Sequence, residues 1–125
     1  CAVLIEVNGK VILVDAGPDI RNQLMPLGLK KIDALLITHT HSDHVAGLDD
    51  LRAFYWPDRN DLLVYAKKQH SVEIIERFPY LFTKHAESPS YFVPPMKIKH
   101  IAAGDKIDIG GCKVDVLHQD HGNTG

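Results

Sequence analysis

Thr38-His39-Thr40-His41-Ser42-Asp43-His44 places four potential metal ligands within six residues of a 125-residue chain. The segment follows an almost wholly apolar run, residues 32–38, which is typical of a strand covered on both faces. Because His39 and His41 alternate with one threonine, extended geometry projects both to the same side. Asp43 and His44 follow the turn at the start of a predicted helix, where Asp43 can serve as an anionic cap. Three imidazoles and a carboxylate suit zinc and similar divalent ions, so the pattern favours a metal site over a solvated loop that is merely rich in histidine.

The remaining sequence predicts a mixed α/β fold with a hairpin near each end. Asn8-Gly9, between two apolar β-branched runs, is a strong hairpin signal, and Gly110-Gly111 predicts a second tight turn. We expect Tyr55 and Trp56, just past the motif, to pack in the core. Further strands are predicted over residues 2–7, 11–14, 62–66, 96–101, 106–109 and 112–117, helices over 18–27, 45–54 and 69–78, and an irregular segment over 79–95.

Composition limits the classes of partner. Hydrophobic residues make up 45% and charged residues 24%, which are ordinary values for a globular protein. The net charge of −2 provides no basic field for a nucleic-acid backbone, so nucleic acid is disfavoured as a partner and is kept as an alternative. No apolar run approaches the roughly 18 residues of a membrane span, so we expect no membrane partner. Because no targeting pattern is visible, we expect a cytoplasmic protein.

The histidine segment matches the H-x-H-x-D-H motif of the metallo-β-lactamase-fold hydrolases. With Asp-Ala-Gly-Pro-Asp at residues 15–19 and Gly-Leu-Asp-Asp-Leu-Arg at 47–52, the chain is similar to a narrower group. This group is the phosphodiesterase branch related to the carbon–phosphorus lyase accessory phosphoribosyl cyclic phosphate phosphodiesterase. The resemblance covers essentially the whole chain. It implies an α/β fold, the metallo-β-lactamase-type αββα sandwich.

The resemblance also implies two divalent metal ions, zinc or manganese, with iron as a third candidate. On the family's pattern, His39 and His41 hold the first ion together with a histidine from a later strand end. Asp43 and His44 hold the second ion, and Asp43 also has a catalytic role because it orients the attacking hydroxide.

The later histidine best matches His121, which follows a predicted strand. His118 is the rival. In a strand-like segment its odd offset places it on the opposite face, so we predict His121 as the ligand.

Asp15 closes the second predicted strand, just before Gly17. The resemblance suggests that Asp15 buttresses the metal loop through a hydrogen bond to a ligand or to its backbone. The alternative is a simple helix cap in the region of Asp19.

The family pattern further requires a bridging aspartate and another histidine downstream of His121. We therefore expect residues 1–125 to be the N-terminal part of a single metallo-β-lactamase-like hydrolase domain, with the C-terminal half absent. On this expectation the remaining ligands and the general acid lie beyond residue 125, and the isolated chain is inactive.

The implied activity is cleavage of a phosphodiester, a small or cyclic phosphate ester, by a hydroxide that bridges the two metals. A homodimer is a candidate assembly. Three alternatives stay open: a tRNA 3′-processing endonuclease of the same superfamily, a glyoxalase II-type thioester hydrolase, and a non-catalytic metal-binding scaffold.

Overall fold

The computed structural model describes residues 1–54 and 61–122, so Tyr55 and Trp56 lie outside the described residues. Five strands form one sheet in the order β1-β2-β3-β4-β5, and β6 and β7 form a separate antiparallel pair. The strands are β1 (Val3–Val7), β2 (Lys10–Val14), β3 (Ala34–Leu36), β4 (Leu62–Lys67), β5 (Met96–Ile101), β6 (Lys106–Ile109) and β7 (Cys112–Asp115). The α-helices are α1 (Ile20–Leu24), α2 (Ser42–Val45), α3 (Leu48–Leu51), α4 (Lys68–Arg77) and α5 (Pro79–Phe82).

The topology brings the ends of several strands to one edge of the sheet. Strands β2, β3, β4 and β5 are parallel, while β1 runs antiparallel to β2, with Val3 opposite Val14. The carboxyl ends of the four parallel strands therefore meet at the edge where β1 begins. Asp15 follows β2 at this edge, and the histidine motif follows β3.

The β1–β2 hairpin is confirmed. Asn8 and Gly9 have φ angles of 51° and 71°, which are the positive values that a two-residue type I′ turn needs at both central positions. Glycine adopts this conformation freely, and asparagine tolerates it better than most residues.

The two faces of the sheet carry different apolar clusters. Because side chains alternate along a strand, Leu13, Leu35 and Val64 point to the face covered by the helices, where Leu48 and Ile74 are fully buried. Their neighbours Ile12, Ala34 and Tyr65 point to the other face, against Ile109 of the β6–β7 hairpin. The prediction that the third strand is covered on both faces is confirmed, although β3 is shorter than the predicted run.

The helix predicted over residues 45–54 was wrong in its continuity. The chain forms α2 and α3 as separate short helices, followed by a 3₁₀ turn over Arg52–Phe54. Gly47 breaks the helix because its N–H donates to the Ala16 carbonyl at 2.9 Å. A Cβ at this position would lie 2.1 Å from the Gly17 carbonyl oxygen, so only glycine permits this contact.

Three other boundaries differ from the predictions. Helix α1 begins at Ile20 rather than at Pro18, and its last turn becomes a 3₁₀ turn over Met25–Leu27, with Pro26 inside it. Residues 79–82 form α5 instead of irregular chain, and β7 ends at Asp115, two residues early. In the described part of the chain, no helix is both long enough and apolar enough to cross a bilayer.

Candidate metal centre

Three predicted ligands converge at the sheet edge. One potential ligand atom from each of His39, His41 and His121 lies within 4.8 Å of the others. The ring of His39 is central, with its centroid 4.6 Å from that of His41 and 4.8 Å from that of His121. His121 follows an irregular segment rather than a strand, so the argument from strand alternation against His118 does not apply.

Asp43 and His44 form a second group beside the first. His44 Nε2 lies 3.2 Å from Asp43 Oδ2, and the rings of His39 and His44 are 4.0 Å apart. The Cys1 thiol completes this group, with its ligand atom within 4.8 Å of the other two. Asp43 has no capping contact, because His41 occupies the N-cap position of α2 and no side chain caps the helix. The predicted cap role of Asp43 was therefore wrong.

Asp15 connects β2 to the histidine motif. Its Oδ1 accepts the Thr38 N–H at 2.8 Å, and its Oδ2 accepts the Thr38 hydroxyl at 2.7 Å and lies 2.7 Å from His44 Nδ1. Asp15 is buried and has a φ of 59°, a left-handed conformation that the N–H···O bond from Asp15 to Leu36 helps to fix. These are the contacts that a buttressing role requires, and no side-chain cap is present at α1.

The same contacts determine which nitrogen of each histidine faces the centre. A carboxylate only accepts, so Nδ1 of His44 carries the hydrogen bonded to Asp15, and Nε2 keeps its lone pair. The Thr38 hydroxyl donates to Asp15 and can accept from His39 Nδ1, 3.0 Å away. Nε2 of His39 is then also left as the free base. This arrangement is typical of histidines that bind metal through Nε2.

His39 is buried in a way that suits a metal ligand. It is 7% exposed, and its Nε2 has no hydrogen-bond partner among residues 1–54 and 61–122. Burial lowers the pKa of His39 from its ordinary value of 6.5, and the neighbouring rings of His44, His41 and His121 lower it further. A neutral imidazole with a buried, unsatisfied nitrogen is costly without a partner, and the adjacent donor set supplies the geometry for a divalent cation. The residues present therefore fit a metal ion.

Helix α4 holds the motif loop from the other side. The hydroxyl of Thr40, between the two histidines, donates to Glu73, and Arg77 Nη1 donates to the Thr40 carbonyl at 2.6 Å. Glu73 and Arg77 also pair with each other at 3.8 Å. Sequence reasoning missed both residues because charges spaced by one helical turn are usually solvated; only their position after β4 marks the same sheet edge.

A cavity of about 570 Å³ opens beside this cluster, between the sheet and the β6–β7 hairpin. His39, His44, His118 and His121 line one part of it, and mainly apolar residues line the rest. His70 is buried at the start of α4 and also lines this cavity, although the sequence gave it no role. Its place directly after β4 was the signal, because the ends of parallel strands share an edge.

Comparison with known proteins agrees with this architecture. The crystal structure of a diphosphatase from the PhnP family is similar, with a TM-score of 0.75 and 30% identity, over 90% of this chain and 40% of that one. An octanoyltransferase of Porphyromonas gingivalis is 37% identical over 114 residues, which are 91% of this chain and 22% of that protein. A ribonuclease Z of Bradyrhizobium diazoefficiens is 28% identical over 126 residues, which are 98% of this chain and 40% of that protein. The chain thus spans well under half the length of these relatives.

The family model of the beta-lactamase superfamily domain matches residues 10–125, a range that contains the histidine motif and most of the sheet. The predicted α/β class and the predicted resemblance to metallo-β-lactamase-fold proteins are both confirmed. This chain belongs to the beta-lactamase superfamily and has the metallo-β-lactamase fold.

Proposed function

We propose that the protein containing this chain is a metal-dependent hydrolase that cleaves a phosphodiester, a small or cyclic phosphate ester. Two divalent ions, zinc or manganese, would occupy the candidate centre, the first held by His39, His41 and His121 and the second by Asp43 and His44. Similarity to a diphosphatase of the PhnP family supports phosphorus rather than a thioester as the reacting centre.

The buried Nε2 of His39 is the single observation that carries this proposal. Leaving a polar atom buried without a partner costs about 1–3 kcal/mol. Asp15 and Thr38 nevertheless hold the neighbouring donors so that free lone pairs converge on this point. A set of imidazoles fixed in this way is organised to bind a cation before it arrives.

Divalent ions at this centre would lower the pKa of a bound water and offset charge on the phosphoryl oxygens. The contribution of the chain itself is positioning. Asp15 keeps Nε2 of His44 directed at the centre, and Thr38 does the same for His39. The Asp43 carboxylate is 61% exposed, so it can both bind an ion and accept a hydrogen bond from the water that attacks. The cavity beside His121 can receive the organic part of a small ester.

Processing of tRNA 3′ ends is the second candidate, because a ribonuclease Z matches 98% of this chain. Against it stands the charge balance of 14 basic and 16 acidic residues, which gives these 125 residues no net attraction for RNA.

The test assays the natural full-length protein, loaded with zinc or with manganese, on four substrates in parallel. These are a linear phosphodiester, a cyclic phosphate ester, a thioester and a precursor tRNA. We expect turnover of a small phosphate ester, and a fall of about a hundredfold or more in His41→Ala. His100→Ala is the matched control, because His100 is exposed on β5 outside the centre. Phosphodiester turnover that survives His41→Ala, or turnover of the thioester or precursor tRNA alone, would contradict the proposal.

A further inference from the structure

The Cys1 side chain lies against the two residues assigned to the second ion, although no sequence pattern connects it to them. Its Sγ is 3.6 Å from Asp43 Oδ2. Asp43 Oδ2 in turn is 3.2 Å from His44 Nε2. Sulfur, oxygen and nitrogen thus surround one point at the sheet edge, and all three ligand atoms lie within 4.8 Å of one another.

These separations match those of ligands on one small ion. With metal–ligand distances of about 2.0 Å for oxygen or nitrogen and about 2.3 Å for thiolate, tetrahedral ligands lie about 3.3–3.5 Å apart. The observed separations of 3.6 Å and 3.2 Å fall close to that range without any movement of the backbone. A thiol used only for packing would be expected among apolar side chains, whereas Cys1 is exposed beside a carboxylate and an imidazole.

The backbone holds Cys1 in this position by two contacts. Its nitrogen donates to the Asp43 carbonyl at 2.8 Å. Gly17 lies between the two segments, and a Cβ there would be 2.5 Å from the Asp43 carbonyl oxygen and 2.9 Å from the Cys1 nitrogen. Glycine at this position therefore lets the start of β1 approach the motif. Cys112, the other cysteine, lies in β7 and packs against the apolar cluster of the opposite sheet face.

We infer that the Cys1 thiolate is a ligand of the second metal ion, together with Asp43 and His44. This inference rests on the proposed function, because it assumes that the centre binds metal. It also refines the choice of metal. Thiolate is a soft ligand that favours zinc or cobalt, whereas manganese prefers oxygen ligands, so the second position should prefer zinc.

Cobalt(II) gives a readout independent of activity. The natural full-length protein is loaded with cobalt, and bound cobalt and the near-ultraviolet absorption spectrum are measured in the same samples. A thiolate ligand adds a sulfur-to-cobalt charge-transfer band. We expect this band in the wild type and in the control Cys112→Ser, and its loss in Cys1→Ser. We also expect Cys1→Ser to weaken zinc binding more than manganese binding.

A second measurement needs no substitution. Alkylation of each thiol is followed by peptide mass spectrometry with and without zinc, and metal coordination should slow modification of Cys1 by about tenfold or more while leaving Cys112 unchanged.

The outcomes separate the two proposals. If cobalt binds but the band is absent, or persists in Cys1→Ser, or if zinc leaves Cys1 alkylation unchanged, then Cys1 is not a ligand and the proposed function still stands. If no cobalt or zinc binds, the proposed function fails and this inference fails with it.

Discussion

Asp15 Oδ2 lies 2.7 Å from Nδ1 of His44, and this contact links the end of β2 to the candidate metal centre. The two residues are 29 positions apart in the chain. The contact gives His44 one defined tautomer, with Nε2 as the free base, and the same carboxylate anchors Thr38. A residue outside the histidine motif therefore sets the orientation of the residues inside it.

Asp15→Asn should weaken binding of the second ion by about 10–100-fold, the usual cost of removing a partner of a ligating histidine. Asparagine keeps the shape but loses the charge that stabilises the Nδ1–H tautomer of His44. Zinc titration against a competing chelator measures the effect. Asp19→Asn is the control, because its exposed carboxylate contacts only Asn22, at 2.8 Å, among the printed hydrogen bonds. Equal zinc affinity in the two variants would show that Asp15 does not position the site.

Thr38→Val should weaken binding of the first ion by about tenfold. Valine matches threonine in shape but removes the hydroxyl that contacts both Asp15 and His39 Nδ1. Thr38→Ser keeps the hydroxyl and should restore the affinity. The measurement is again zinc titration, and failure of serine to rescue would mean that the methyl group, rather than the hydroxyl relay, is what matters.

Arg77→Gln should lower the free energy of unfolding by about 1 kcal/mol, mainly through loss of the hydrogen bond to the Thr40 carbonyl. The ion pair with Glu73 adds little because both side chains are more than a third exposed and solvent screens them. Urea unfolding of the metal-free protein measures this. The neighbouring Glu76→Gln, on exposed helix surface, serves as the control and should leave the midpoint unchanged.

Asp33→Asn should destabilise the protein at neutral pH but not in acid. Burial raises the pKa of Asp33, but the Val11 N–H at 2.9 Å and the ammonium groups of Lys31 and Lys10 lower it more, so the net pKa lies below 3.8. A depressed carboxyl pKa contributes stability that is complete above the unfolded-state pKa, near 4, and is lost as the pH falls through the folded-state value.

We therefore expect Asp33→Asn to cost about 1 kcal/mol at pH 7, with a difference from wild type that shrinks below about pH 4. Urea unfolding across this pH range is the measurement. Asp115→Asn is the control, since its pair with Lys106 is exposed on both sides and should contribute little. A cost independent of pH would contradict the role assigned to the Asp33 charge.

Local features of the fold could be predicted from the sequence, and long-range contacts could not. Asn8-Gly9 determines a hairpin because both residues tolerate positive φ, a property that needs no other part of the chain. The break at Gly47 depends on the approach of Gly17, 30 residues earlier, which no local pattern reveals.

The candidate centre divides in the same way. His39, His41, Asp43 and His44 are adjacent in sequence, so their spacing alone indicated metal binding. His121 was predicted only through resemblance to a family, and the structure places it beside His39. Cys1 and Arg77 were missed, because a lone cysteine and a helical surface charge have ordinary structural explanations until the sheet edge brings them to the motif.

Metal content tests the central claim most directly. The natural full-length protein and His39→Ala are freed of loosely bound metal, and zinc and manganese are counted per chain by mass spectrometry, with circular dichroism to verify folding. We predict two ions per chain in the wild type and loss of at least one in His39→Ala. A folded wild type that retains no stoichiometric metal, or a folded His39→Ala that retains as much as the wild type, would contradict the account.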